Sequence, residues 1–446
     1  MKNFKIAVIG GGAAGFFSAV NIAEKAKAQG LPVHVSLFEA APTPLRKVAI
    51  SGGGRCNVTH ACFEPSRLVE YYPRGNRELR SLFARFQPKD TITWFKARGL
   101  WLKTEADGRL FPISDSSSDV IAALMLSARK GGVHLHSNAR VYSITYTKNE
   151  APSPLPLQEG GDNVTSGGQF EITLASGDSE RFNACILATG YSPPGWTMAK
   201  NLGHTVLPPV PSLFPFTVKA PLLEELQGIS VEKVSGRLLS PTGQKISSVE
   251  EGAMLITHTG LSGPLIYRLS ARAARELAEH HYKAELILDL LPELSVEEVH
   301  RKLEQCFKEE SNLKKVINTR FEPFSHRLWL ALCKAAEIDL EQRADSVPLK
   351  NLRRLAEQGI KRLSLPVTGK SPSKEEFVSC GGVSRKEVDF KTMESRKVPN
   401  LYFAGEILDI DGLTGGFNFQ ACWSGGWVVS ETVINKLNIL IIKSKK

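Results

Sequence analysis

Cysteine is scarce and unpatterned in this chain. Seven cysteines, an odd number, are spread over 446 residues from Cys56 to Cys422 without a Cys-x-x-Cys pair. That excludes a disulfide scaffold and a structural zinc site, so no metal is expected, and it fits a reducing cytoplasm. No apolar run reaches the roughly 18 residues a membrane-spanning helix needs, and no membrane partner is expected. The basic start, residues 1–5, imitates a signal peptide, but the apolar stretch after it runs into Gly10-Gly11-Gly12 and reads as a first strand. The 37 Gly and 25 Pro follow no fixed period and charged residues make up only 23 %, against collagen, coiled coil or global disorder. Acidic side chains are in deficit, 46 against 56 Lys plus Arg. The resulting field attracts anionic cofactors or nucleic acid and says nothing about fold. Single cores stop growing at roughly 250–300 residues, so two or three modules are expected.

Residues 4–9, 13–29 and 33–38 read as strand, helix and strand, a βαβ start that builds a parallel sheet. Helices are expected over 77–86, 88–98 and 118–130, and strands over 133–136, 140–147, 169–174 and 182–188. Residues 148–168, rich in Pro, Gly, Glu and Ser, mark an exposed hairpin tip. From about 192 short apolar runs punctuated by Pro, Gly and Ser suit a small barrel. Helical patterns follow over 265–279, from the capping box Ser295-Val-Glu-Glu298, over 325–337 and over 348–358. Strands return over 364–368, 377–380 and 401–404, then a helix over 420–436. The middle thus reads as an insertion into a sheet begun at the N-terminus.

Three glycine clusters carry the chemistry. Gly10-Gly11-Gly12-Ala13-Ala14-Gly15 fits the dinucleotide pattern G-x-G-x-x-G, with a strand before it, a helix after it, and Glu39 closing the next strand where an acid takes ribose hydroxyls. Ser51-Gly52-Gly53-Gly54-Arg55-Cys56-Asn57, preceded by Arg46-Lys47, exposes backbone N–H groups beside positive charge, fit for an anion or an electron-rich ring or simply a mobile loop. The third runs from Gly405-Glu406 through Asp409, Asp411 and Gly415-Gly416-Phe417-Asn418 into the last helix. Donors at such a helix start stabilise negative charge on a bound cofactor; a plain turn and cap is the bland alternative.

In this order, and with the strand-ending Leu187-Ala188-Thr189-Gly190, the clusters resemble the BaiN-like and aminoacetone-oxidase-like group of FAD flavoproteins. Residues 47–57 match its K-x-x-x-S-G-x-G-R-C-N run, Leu202-Gly203-His204-Thr205 and residues 259–264 match inner landmarks, and residues 404–420 match its closing flavin motif. The resemblance implies an α/β, Rossmann-like FAD-binding domain built from residues 1–191 and 381–446. The insertion, 192–380, would hold a β-barrel over about 192–264 and 364–380 and a helical subdomain over about 290–362. It implies non-covalent FAD, with Gly10, Gly12, Ala13, Ala14 and Gly15 at the pyrophosphate, Glu39 at the ribose and Val141 at the adenine. Lys47, Ser51, Gly53, Arg55, Asn57, Thr189, Gly190, Gly405, Glu406, Gly415, Gly416, Phe417 and Asn418 would line the ribityl and flavin side. Two departures stand out: Leu45 occupies a position where glycine is usual, and Tyr191-Ser192-Pro193-Pro194-Gly195 replaces a second glycine and a longer loop.

The catalytic residues stay unassigned, with His258, Arg55 and Cys56 as candidates: His258 as a proton donor at a flavin face, Cys56 as a thiol that Arg55 could activate, a structural His and a packed Cys being the bland alternatives. Lys350, Arg354 and Lys361 read as a solvated basic face. The implied activity is an FAD-dependent oxidoreductase passing hydride between flavin N5 and a small organic substrate, NAD(P)H or oxygen being the other partner. No second glycine fingerprint has a strand and helix around it, so NAD(P)H would visit transiently. The alternatives are an amine-oxidase-like activity, an RNA-associated flavoprotein resembling tRNA-modifying relatives, and a flavin-binding protein without turnover. Nucleic acid is disfavoured, because no aromatics interleave with the basic residues.

Overall fold

The computed structural model describes residues 4–148, 168–309, 314–371 and 378–444. The chain forms two compact units, Met1–Pro209 with Gly381–Lys446, and Val210–Cys380. The expected hairpin tip lies, apart from its two ends, outside the described residues, as do residues 445–446 of the tail.

In the first unit β1 (Phe4–Ile9) leads through α1 (Ala13–Ala28) to β2 (Val33–Phe38), paired in parallel from Phe4 with Val33 to Ile9 with Phe38. The strands read as continuous apolar runs because a parallel sheet is covered on both faces. α2 (Ser117–Gly131) is capped by the Ser116 hydroxyl and closed by Gly132 at φ +80°, before β3 (His134–His136). β4 (Ala184–Leu187) and β5 (Leu401–Phe403) complete the parallel part, in the spatial order β5-β4-β1-β2-β3. Antiparallel strands Val388–Asp389 and Glu394–Ser395 extend the β5 edge. The sheet is therefore assembled from both parts of the unit. The long α3 (Phe417–Ser444) lies on α1 through small residues, a Cβ at Gly426 falling 3.1 Å from the Ser18 nitrogen and 3.2 Å from the Ala14 carbonyl oxygen. Phe17 and Trp423 meet beside this contact at 5.2 Å.

The second unit holds a closed barrel of Phe216–Val218, Gly260–Ser262, Glu250–Ile256, Ser230–Leu239, Ala284–Asp289 and Leu363–Lys370, in that order around it. Leu286 and Leu288 share one apolar core with Val299, Leu303, Trp329 and Leu352 of the helical part.

Three expectations change. Residues 192–209 belong to the first unit, because the helix Pro193–Asn201 returns to it: Trp196 Nε1 donates to the Ile407 carbonyl (3.3 Å). Ala284–Asp289, unassigned from its sequence, is a barrel strand paired with Ser230–Leu239 and Leu363–Lys370. Lys361 is not on a solvated face: only 11 % exposed, it lies 2.7 Å from the Asp289 carboxylate and donates to the Leu291 carbonyl (2.8 Å) and to that of Leu294. Among the described residues no helix is long and apolar enough to cross a membrane.

Candidate functional site

The first loop is shaped by close approach. A Cβ at Gly15 would stand 1.9 Å from the Gly10 carbonyl oxygen, so only glycine lets α1 start there. α1 has Gly12 at its N-cap, no side-chain cap, no acid in its first turn, and open space where a Gly12 Cβ would be. Its first amides and the positive end of its dipole are thus left uncompensated by side chains. Glu39 is turned onto the same loop: Oε2 accepts from Gly11 N–H (2.8 Å) and Oε1 from Ala41 N–H (2.7 Å). Its backbone accepts from Ala139 N–H (2.8 Å), which brings the approach to Val141 alongside. Val141 itself is buried at the start of a strand running to Thr147.

Leu45 explains its own oddity. It sits at φ +58° with its N–H donating to Gly11 O (2.8 Å), a left-handed conformation that glycine adopts freely and a buried leucine holds under strain. From it the chain enters the helix Arg46–Ile50, where Lys47 Nζ reaches Glu406 Oε2 (2.7 Å) and so links the second cluster to the third. The Ser51 hydroxyl turns inward to the Val48 carbonyl (2.9 Å), and Gly53 stands exposed in open space. Arg55 is held by the acids of a neighbouring hairpin. Its guanidinium donates to Asp115 (Nε to Oδ1, 2.9 Å) and to Glu105, and lies 3.9 Å over the Phe111 ring. Cys56 is fully buried at φ +59°, and burial pushes its thiol up to about 12, the state of a packed residue rather than a nucleophile.

Asn57 closes the circle. With its amide oriented by its hydrogen bonds, the oxygen accepts from Gly416 N–H (3.0 Å) and the nitrogen donates to the Thr59 carbonyl (3.0 Å). A Cβ at Gly416 would lie 2.6 Å from the Thr59 carbonyl oxygen, so the two strings of backbone touch directly. Asn418 grips Gly412 twice, accepting from its N–H (2.8 Å) and donating to its carbonyl (2.9 Å). The Phe417 carbonyl accepts from the Tyr72 hydroxyl (2.6 Å), and the Phe417 ring stacks on Tyr71 (4.2 Å) and His60 (4.7 Å). A Cβ at Gly405 would lie 2.8 Å from that of Ala14, so the third cluster also reaches the first. Thr189 and Gly190 follow β4; the Thr189 hydroxyl is buried without a hydrogen-bond partner among the described residues, with Gly195 pressed against it.

The first unit therefore gathers the three glycine clusters and the Thr189–Gly190 turn. His258 is not among them: it stands exposed at a hairpin tip of the barrel in the second unit. His204 is buried, with Nε2 2.9 Å from the Ser395 hydroxyl and Nδ1 3.2 Å from Glu387, a structural placement.

Some residues that hold the site carried no assigned role in the sequence reading. His60 pairs Nε2 with the Asp107 carbonyl (3.1 Å), keeps a buried Nδ1 without a partner, and is held below the usual imidazole range mainly by burial. Gln420 Oε1 accepts from the hydroxyls of Thr59 (2.6 Å) and Thr91 (2.9 Å). Arg74 forms a buried ion pair with Asp411. Asp411 had a signal, being an acid within a glycine-rich block; His60 and Gln420 had none, because their partners are remote in sequence.

Three curated relatives span nearly the whole chain. A ribosomal RNA dihydrouridine synthase of Escherichia coli is 29 % identical over 97 % of this chain and 99 % of its own. A 3-dehydro-bile acid delta(4,6)-reductase of Clostridium scindens is 26 % identical over 97 % and 99 %. A second ribosomal RNA dihydrouridine synthase, from Haemophilus influenzae, is 27 % identical over 96 % and 97 %. The model of the HI0933-like protein Rossmann domain matches residues 4–432, and the chain belongs to that family of FAD-dependent oxidoreductases.

Proposed function

We propose that this enzyme reduces a carbon–carbon double bond conjugated to a carbonyl in a small organic substrate, with NAD(P)H as the reductant and FAD held non-covalently. The observation that carries this reading is the meeting of Asn57 and Gly416, which joins the second glycine cluster to the start of α3. The relatives supply the reaction class: a dihydrouridine synthase and a delta(4,6)-reductase are both named for saturating such a bond. Overall, NAD(P)H and one proton add two hydrogens across the bond and leave NAD(P)⁺.

The residues present fit the cofactor. The uncapped start of α1 and the open space at Gly12 suit a pyrophosphate beside Gly10, Ala13, Ala14 and Gly15, and Glu39 lies against the same loop for a ribose. The orphaned Thr189 hydroxyl, with Gly190, is a polar group waiting for a ligand atom. Lys47, Ser51, Gly53, Arg55, Asn57, Gly405, Glu406, Gly415, Gly416, Phe417 and Asn418 would surround the flavin side, and Val141 the adenine. When bound, the flavin supplies reversible hydride acceptance at N5. Around it the α3 start offers positive potential, and Asn57 and Asn418 fix the loop that presents it. All seven cysteines are free, which suits a cytoplasmic site of action.

Anaerobic mixing with NADH, then NADPH, followed by a conjugated enone, tests the proposal. Flavin bleaching by a nicotinamide and recovery on adding the enone are expected. Bleaching by a small amine alone would transfer the reading to an amine oxidase, and a colourless protein that takes up no FAD would end it.

A second reading makes the reducible bond the C5=C6 bond of a uracil in RNA. It is favoured by the net charge of +10 and by the names of two relatives.

A further inference from the structure

Part of the surplus positive charge is gathered in one place. In the first unit an open cleft of about 640 Å³ is lined by Arg77, Arg385, Lys386, Lys391 and Arg396 against only Glu78 and Asp389. Both acids are already engaged: Glu78 lies 3.1 Å from Arg385, while Asp389 lies 3.8 Å from Arg396 and accepts from Lys391 N–H (3.0 Å). Arg77, Lys386 and Lys391 have no carboxylate partner among the described residues, and all three are exposed. Three uncompensated cations on one concave surface repel one another and are stabilised by a polyanion whose charges repeat along a strand. The cleft is also tied to the candidate site. Arg385 places Nη1 on Glu78 and Nε 3.4 Å from the buried Asp409, which belongs to the glycine-rich block before α3.

We propose that this cleft is the docking surface for the sugar–phosphate backbone of an RNA substrate, with Arg77, Lys386 and Lys391 as its phosphate contacts. The proposal rests on the RNA reading of the function and adds the surface that reading requires. No base is read in the cleft. Its lysines and arginines face phosphates, and Phe390 of its lining is buried beneath and offers no stacking surface to a base, so it holds the strand without regard to sequence.

The test is fluorescence anisotropy of the FAD-loaded full chain with a fluorescein-labelled 20-mer oligouridylate over a series of salt concentrations. The variants are R77E/K386E/K391E, its milder form R77Q/K386Q/K391Q, and a control of equal charge change on exposed lysines elsewhere, K130E/K148E/K200E. Single-stranded contacts contribute about 0.7 each to the slope of log affinity against log salt, so losing three flattens the slope by about 2. The cleft reversal is expected to weaken binding at least tenfold at low salt with that flattening, the glutamine form to weaken it less, and the control to keep the wild-type slope. Flavin content and the rate of flavin bleaching by NADPH stay unchanged in the cleft variants. A cleft reversal that matches the control overturns the proposal while leaving the RNA reading in place. A raised KM for NADPH but not NADH, with RNA binding intact, overturns it by giving the cleft to a 2′-phosphate. A wild-type chain that fails to bind oligouridylate at low salt removes the RNA reading and the proposal together.

Discussion

Among the described residues the buried polar side chains of the second unit are hydroxyls, Ser212, Ser235, Ser240, Ser247, Ser270 and Thr319, whereas the first unit also buries Arg74, Asp409, Asp411, His204 and Gln420. Burying an ion costs several kcal/mol unless it is paired and hydrogen-bonded, so a core that needs only to pack keeps its charges at the margin and paired, as Lys361 is with Asp289. The first unit has another task. Its glycine-rich strings have few side chains with which to anchor themselves, and polar groups hold their backbones instead: Tyr72 on the Phe417 carbonyl, Asn418 on Gly412, Asn57 on Gly416. The contrast separates a unit built to pack from one built to hold bare peptide in place.

Removing Asp411 should strike hardest. Asp411→Ala removes the carboxylate that the buried Arg74 guanidinium faces, with an expected loss of about 3–5 kcal/mol in urea unfolding of the first unit and weaker FAD retention. Leu286→Ala in the barrel should cost about 2–5 kcal/mol. It should leave the flavin-to-protein absorbance ratio of the folded fraction unchanged. If both variants lost flavin equally, the division of labour would be wrong.

Gly416→Ala comes next. The added methyl meets the Thr59 carbonyl oxygen at 2.6 Å, in backbone at φ +89°. The expected outcome is at least a tenfold rise in the Kd for FAD by equilibrium dialysis with near-normal circular dichroism.

Acid should weaken the first unit before the second. His34, His60, His136 and His204 are all held below the usual imidazole range, each chiefly by burial, and all lie in the first unit. Unfolded imidazoles titrate near pH 6.5, so below that pH the unfolded chain binds more protons than the folded one. Stability is complete above that value and is lost as the pH falls through the depressed folded values. The thermal transition that releases the first unit's buried aromatic residues should drop between pH 7.5 and 5.5. The smallest effect belongs to Cys56→Ser, about 1 kcal/mol with turnover retained, as a packed thiol requires; loss of turnover at unchanged stability would return it to the chemistry.

Local signals were legible wherever partners are close in sequence. The βαβ start follows from apolar runs and glycine punctuation, with Val33–Phe38 as read, and the Ser295–Glu298 capping box forms with both of its hydrogen bonds. Ala284–Asp289 escaped because its apolar residues lie between helical patterns and only barrel neighbours distant in sequence make it a strand. The chain's departure near residue 192 was read from a change of composition, yet Trp196 anchors that helix to a carbonyl 211 residues further on. Lys361 looked like one more surface lysine because the carbonyls that accept its protons sit in a loop some 70 residues earlier. At the site, the glycine clusters announced themselves. Arg55 did not announce Glu105 and Asp115, and His60 gave no sign of Phe417, because those pairings exist only once the hairpins have folded.

The interleaving of the two units sets an order for biosynthesis. β4 cannot gain its partner β5, nor Ala14 and Ser18 their neighbour Gly426 on α3, until residues 381–446 have left the ribosome. At about 5–20 residues per second the 171 residues of Val210–Cys380 delay that event by roughly 10–30 s, and the strand that closes the barrel, Leu363–Lys370, is made only at the end of it. Through that interval one flank of β4 is an unpaired strand edge. The nascent first half therefore has a defined window in which a chaperone is most needed.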